Sequence, residues 1–385
     1  MRVGSDTEEA GRLVNLARSL LAKGGMLQST GAGEAISSGK LEQAVTRHVE
    51  QNAALYGLPP EYTAKAAAAE VVKNAERAIE NVSGGAPLHR LTDLEYASLE
   101  AIVEVTGRPA MRFDKGRLQM PPSDLGENDR WRVLVATGRK KFDCVSAGVG
   151  RIGLAGGSDL RGTGWRTGMD LVVTNRHVAR ELAKNPEGSA ADWKLDEARN
   201  PRIDFTVTDN VTAPQSYAIS EIAYCAAEDD VDLAVLRLTP GETAFPATLK
   251  LDWDPEAVGR ELPGTSGAEP RFQGEEIYVV GHPYRARGSG IIAVVFGVAD
   301  GSKRCSPGKV VGIDRARPVL EHDCSTLGGS SGSCVVTVGA HAAIGLHMGG
   351  VEVDAASGKG TANLALAFSR LGGHRAEAIL RTGTV

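Results

Sequence analysis

Residues 326–336 read TLGGSSGSCVV. Three serines, Ser330, Ser331 and Ser333, stand among glycines directly before a β-branched run. Whether one of them carries chemistry decides the fold, because each choice demands a different surrounding structure. A serine hydroxyl is a weak nucleophile. It needs a base to take its proton and donors to hold the oxyanion that develops. If the unit is G-x-S-x-G, from Gly328 to Gly332, Ser330 sits on a strand–turn–helix elbow of an α/β sheet, with an acid and then a histidine downstream. Asp354 and His374 are available for those roles. The residues that follow read SCVVTV, however, which is strand-like and leaves the elbow without its helix. If the unit is instead G-x-S-G-S, from Gly329 to Ser333, Ser331 attacks. The backbone N–H groups of Gly329 and Ser331 then form the oxyanion hole, and glycine at 329 lets the backbone turn its N–H inward. A base and an orienting acid are expected earlier in the chain, in the order His, Asp, Ser.

Both lie upstream. LVVTNRHVAR (171–180) carries His177 just after a buried-looking strand, and VDLAVLRL (231–238) carries Asp232 at the start of another. Strand ends are rigid, which is what a catalytic constellation requires. Asp229 and Asp230 are near, but Asp232 abuts the apolar LAVL run and is the better candidate to hold an imidazole in its working tautomer.

With these blocks in place, the chain resembles the trypsin-like serine peptidases, closest to their bacterial glutamyl-endopeptidase branch. The resemblance rests on GTGWRTGMDLVVTNRHVA (162–179), DLAVLRL (232–238), YVVGHP (278–283), TLGGSSGSCVV and GLHMGG (345–350), and extends over about residues 107–372. It implies a mainly β chain with two antiparallel six-stranded β-barrels and a catalytic triad in the cleft between them. His177 would be the general base, Asp232 its orienting partner and Ser331 the nucleophile. In the glutamyl branch, a hydroxyl residue five before the serine and a histidine in the G-[IL]-H block line a pocket for an acidic side chain. The matching residues here are Thr326 and His347, and Gly349 and Gly350 would let substrate backbone pair as an added strand. Digestive relatives carry an aspartate just before the nucleophile, which pairs with a freshly cut N-terminus. Ser330 stands there in this chain, so that switch is not expected. His282, in a tight VVGHP turn, reads as structural, and Cys334 as a small buried residue under the loop.

The remainder divides in two. DTEEAGRLVNLARSLLAKGG (6–25), 39–57 and 59–85 have helical spacing, and Thr92 with Glu95 forms a capping box ahead of DLEYASLEAIVEVTG. Beyond about residue 107, short β-branched runs between glycines and prolines read as strands, among them RWRVLVAT (130–137) and DFTVTD (204–209). GGHRAEAILRT reads as a C-terminal helix. The expected organisation is a helical accessory or interaction domain over 1–90, a helix and linker over 91–125, and the peptidase domain over 126–385. The helical part is read as a packing unit or as a receiver for a regulatory protein partner, because helical packing alone does not encode one.

The 385 residues suffice for two domains. A net charge of −5 argues against a nucleic-acid partner. No N-terminal apolar stretch suggests export, and IIAVVFGVA (291–299) is too short to span a bilayer. Five cysteines at irregular spacing are expected as reduced thiols in a cytoplasm. They form no CxxC pair, so a zinc site drawn from His322, Cys324, Cys334 and His341 is set aside, and the triad chemistry needs no cofactor. The expected partner is a protein or peptide substrate. The rival reading is an inactive peptidase-fold scaffold that binds peptides.

Overall fold

The computed structural model describes residues 14, 17, 38–56, 63–83, 91–154, 160–208, 215–241, 243–262, 271–284, 301–314, 316–326, 329–350 and 362–385. The expected helix over 6–25 lies outside these apart from Val14 and Ala17, both helical and buried, and so does the 291–299 run.

Among the described residues, the N-terminal part is built of the helical Val14 and Ala17 and of three longer helices, α1 (Ser38–Tyr56), α2 (Ala64–Ser83) and α3 (Asp93–Thr106). Leu41, Val45 and Val49 of α1 recur at helical spacing and meet Ala67, Val71, Ala75 and Ala78 of α2 in one apolar cluster with Leu99 and Ile102 of α3. Many of the contacts are alanine, so the helices approach closely. The capping box forms as expected: Thr92 Oγ1 accepts the Glu95 N–H at 3.2 Å, and the Glu95 carboxylate accepts the Thr92 N–H at 2.9 Å.

Residues 130–137 correct the expectation of a strand. They lie in helix α4 (Asn128–Ala147), which buries Trp131, Val135, Phe142 and Val145 and leaves Val133 57% exposed. The burial period is helical, and it overrides the β preference of the valines. Helix α4 packs on the β body, with Phe142 4.6 Å from Tyr278 between ring centroids.

The body is two closed barrels. In the first, β3 (Val149–Gly153), β4 (Leu160–Arg166), β5 (Leu171–Thr174), β6 (Arg202–Asp204), β7 (Ser216–Cys225) and β8 (Ala234–Leu238) run in the order β3-β4-β5-β8-β7-β6, all neighbours antiparallel. In the second, β11 (Glu276–Gly281), β12 (Arg304–Ile313), β13 (Val319–His322), β14 (Cys334–Thr337), β15 (Ala343–Gly350) and β16 (Asn363–Ala367) run β11-β14-β15-β16-β13-β12, and the β11–β12 pairing closes the ring. A hairpin, β1 (Met111–Asp114) and β2 (Arg117–Leu118), adds to β12. A second hairpin, β9 (Gly259–Leu262) and β10 (Arg271–Gly274), leads into β11. Of the described residues of DFTVTD, Asp204 alone is strand, as the last residue of β6.

Each barrel has its own interior cluster, and a third cluster fills the seam between them. On β5, Val172 faces the first barrel's interior while Leu171 and Val173 face the seam. Strands buried on both faces read as unbroken apolar runs, which is why LVV, LAVL and CVV lack polar alternation. The seam is tight. A Cβ on Gly281 would lie 1.8 Å from Ser333 Oγ, and one on Gly332 (φ +85°) would lie 2.0 Å from the Thr163 carbonyl oxygen. Helix α6 (Arg375–Thr382), predicted from the sequence, closes the described chain.

Candidate active site

His177 is carried on a single helical turn, α5 (Arg176–Arg180), that begins directly after β5. Strand register sets its neighbour. Thr174 at the end of β5 pairs with Ala234 at the start of β8, so the residues just past Thr174 meet those just before Ala234. Asp232 is there. Its Oδ2 lies 2.7 Å from His177 Nδ1, and its Oδ1 accepts the His177 backbone N–H at 3.1 Å. An ionised carboxylate can only accept, so in the neutral ring Nδ1 carries the proton and Nε2 is left as an acceptor. Burial pushes the Asp232 carboxyl up, but the hydrogen bonds and charge of His177, with Arg176 beside it, hold it below the usual carboxylate range.

Two further side chains brace this pair. Asn175 Nδ2 donates to the Asp232 carbonyl at 3.0 Å. Arg176 Nη1 donates to the carbonyls of Ala227 and Val231, holding the turn that leads into Asp232. Asp230 is engaged elsewhere, 2.7 Å from His374 Nε2.

Ser331 comes from the second barrel, just before β14. Its carbonyl accepts the Thr163 N–H of β4 at 2.8 Å, and its Oγ lies 3.5 Å from the Met348 carbonyl oxygen. Gly162 fits between the two sides of the seam: a Cβ there would sit 2.7 Å from Val178, the residue after His177, and 3.1 Å from the Ser331 carbonyl oxygen. The base–acid pair and the serine loop thus flank the same stretch of β4. Gly329 holds φ +83°, and Thr163 Oγ1 donates to its carbonyl at 3.2 Å. Among the described residues, neither the Gly329 nor the Ser331 N–H has a backbone acceptor.

The elbow reading fails on the fold. The loop is followed by strand β14 in a closed barrel, not by a helix on an α/β sheet. Ser330 is buried, and its carbonyl accepts the Ser333 N–H at 2.9 Å. His374 caps α6, accepting the Ala376 N–H at 3.0 Å, and Asp354 lies outside the described residues.

His347 and Thr326 are both buried. His347 is fixed at its backbone, donating to the Ser333 carbonyl at 2.9 Å and accepting the Gly332 N–H at 3.0 Å. Its Nδ1 lies 3.2 Å from His322 Nε2. The sequence suggests His322 only for a zinc set that is put aside, and not for this contact, because strand β16 stands between β13 and β15. Gly349 and Gly350 end β15. Cys334 is fully buried, and burial pushes its thiol up to about 12, which makes it a poor nucleophile. His282 is also fully buried, its Nδ1 2.8 Å from the Gly301 carbonyl oxygen and its pKa pulled well down by burial. All five cysteines are free thiols. Among the described residues, no cluster of three or more His, Cys, Asp or Glu side chains could hold a metal ion, and no helix is long and apolar enough to cross a membrane.

Residues 162–346 match the family described as "Trypsin-like peptidase domain". A probable serine protease of Lysobacter enzymogenes is 25% identical over 311 residues, covering 71% of this chain and 73% of that protein. Among solved structures, a Glu endopeptidase in complex with MPD is 16% identical with a TM-score of 0.41, covering 62% of this chain and 90% of its own. Deg5 is 16% identical with a TM-score of 0.40, covering 64% of this chain and 95% of its own.

Proposed function

This chain carries a trypsin-like serine peptidase domain and is a serine endopeptidase, and from that premise we propose that His177, Asp232 and Ser331 are its catalytic triad. The observation that carries this reading is the two-point contact between His177 and Asp232. Asp232 fixes both the ring and its tautomer, leaving Nε2 to accept a proton. Ser331 Oγ attacks the scissile carbonyl as its proton passes to His177 Nε2. The carbonyl oxygen takes up the negative charge against the N–H groups of Gly329 and Ser331. The tetrahedral intermediate collapses, the C–N bond breaks, and His177 returns the proton to the leaving amine, giving an acyl-enzyme. Water then attacks the ester with the same base, and Ser331 regains its proton.

The substrate is a protein or peptide, and the proposed preference is Glu or Asp at P1. Thr326 and His347 would hold the acidic side chain, and the contact between His347 and His322 supports this. Gly349 and Gly350 would pair with substrate backbone. The proposed organisation is a helical interaction domain over 1–90, through which a regulatory protein partner acts, a helix and linker over 91–125, and the peptidase over 126–385. The free thiols suit work in a cytoplasm.

The test is cleavage profiling in a whole-proteome peptide library with wild type and Ser331→Ala. New termini after Glu or Asp that vanish in the variant are expected. Cleavage at other residues, also lost in the variant, would remove the acidic pocket and leave the peptidase. Cleavage that survives Ser331→Ala would remove the nucleophile.

A further inference from the structure

Between α3 and β1 the chain passes through Gly107 and Arg108. The Arg108 side chain is 1% exposed. Its Nη1 donates to Glu127 at 2.5 Å and to the Gly107 carbonyl at 2.8 Å, and its Nη2 donates to Asp323 at 2.6 Å. Its backbone is used as well. The Arg108 N–H donates to the Val103 carbonyl of α3 at 2.9 Å, and its carbonyl accepts Ser325 Oγ at 2.7 Å. One residue therefore grips two alternate positions, Asp323 and Ser325, across more than 200 positions of sequence, while it is tied to the last helix of the N-terminal part.

The gripped segment matters because of its ends. It starts at His322, which meets His347, and runs to Thr326, five residues before Ser331. The second barrel holds the segment at two further points. Asn363 Nδ2 donates to the Cys324 carbonyl at 2.7 Å, and the Lys309 N–H donates to Asp323 Oδ1 at 2.7 Å. Arg108 reaches it from outside that ring. A planar guanidinium with two arms engaged fixes direction as well as distance, which a lysine cannot do.

We propose that Arg108 is a positioning residue for the substrate pocket: it sets the 323–326 wall, and the helical part acts on substrate choice through it. This rests on the reading of Thr326, His347 and Ser331 given above. Anything that moves α3 relative to the barrels moves the Asp323 and Ser325 anchors together, so the pocket responds to the helices without any contact between them and the substrate.

The test uses the full chain, with the P1 residue that wild type prefers. Ser325→Ala, which removes one neutral hydrogen bond, is expected to raise KM about fivefold. Arg108→Lys is expected to raise it about tenfold, because charge is kept but the fork is lost. In both, the loss falls on KM rather than kcat, and the P1 profile broadens. A residue that only stabilises the fold would lower the melting temperature and leave KM and the profile as in wild type, and that result would overturn the proposal. Should Arg108→Lys fail to fold, Ser325→Ala decides alone. Ser331→Ala separates the two readings. Cleavage that survives it removes the triad, whereas cleavage lost in Ser331→Ala with an unchanged KM in Ser325→Ala removes only the role of Arg108.

Discussion

Thr163 and Ser331 join the two barrels at the proposed nucleophile, the Thr163 N–H donating to the Ser331 carbonyl at 2.8 Å. The Thr163 hydroxyl works beside that bond. It accepts the His282 N–H at 3.0 Å and donates to the Gly329 carbonyl at 3.2 Å, and the Thr163 carbonyl accepts Thr174 Oγ1 at 2.7 Å. One buried residue thus ties the serine loop to the strand that leads to His177. Thr163→Val keeps the shape and removes the hydroxyl. It is expected to lower kcat about tenfold, the worth of roughly 1.4 kcal/mol in the transition state, with KM nearly unchanged. Thr163→Ser should restore most of the rate. Steady-state kinetics on one peptide read both, and a uniform loss in Val and Ser variants would count against the hydroxyl.

Asp232→Asn would present an N–H where His177 Nδ1 needs an acceptor, and the ring would turn or change tautomer. Activity is expected to fall by about 10⁴ at neutral pH, with the protein still folded. The native Asp232 carboxyl is held below its usual range. A depressed carboxyl contributes stability above its unfolded-state pKa and loses it as pH falls through the folded value. The stability difference between wild type and variant should therefore shrink in acid, as followed by urea unfolding at neutral and acid pH.

Gly332→Ala sets a Cβ 2.0 Å from the Thr163 carbonyl oxygen at a φ of +85°. The expected cost is about 3 kcal/mol or more, read as a lower melting temperature with activity lost. Gly339→Ala, where a Cβ would meet nothing within 4 Å, is the matched control and should behave as wild type.

Lys303 is fully buried, its Nζ donating to the Ser146 carbonyl at 2.7 Å and the Phe205 carbonyl at 2.8 Å. Burial pulls its pKa down to about 7, with Asp204 pulling the other way. The unfolded lysine titrates near 10.4, so above about pH 7 the unfolded chain holds the extra proton and stability rises with pH, by at most ~1.4 kcal/mol per unit. The buried Cys334 thiol, pushed up to about 12, acts oppositely once an unfolded thiol ionises, above roughly pH 8.5. Stability should therefore rise from about pH 7 and level off above about pH 8.5, where the two slopes oppose each other. Lys303→Met should lose the rise and instead fall above about pH 8.5, and a wild-type curve flat from about pH 7 to 8.5 would contradict the account.

His347→Ala is expected to remove turnover of acidic-P1 peptides by about 100-fold or more while sparing other peptides, since the loss of a charge-assisted partner bears on the acidic side chain alone. Paired peptides differing only at P1 measure it, and equal losses across the pair would argue for a general structural role.

The serine loop and the two strand-end blocks were legible in the sequence because local chemistry marks them: a catalytic residue type set at one end of an apolar, strand-like run. The runs argued for a β-rich body, and the pair of six-stranded barrels was implied only by the resemblance to the trypsin-like peptidases. Helix α4 was misread because its valines were weighed over eight residues, whereas the helical recurrence of Trp131, Val135, Phe142 and Val145 needs a longer window. Arg108 carries no local signal, and His322 carries none that points to His347. Their partners are set by strand order and by a link between distant segments, which no periodicity reports.

Strand β16 pairs with both β13 and β15, the strands that carry His322 and His347. It is also the last described strand to leave a ribosome, since a chain emerges N-terminus first. His177 and Asp232 are complete well before Asn363–Ala367 exists. On the proposed triad, a half-made chain would therefore hold a base and an acid but no fixed serine, and the order of synthesis would keep it inert until its second ring closes.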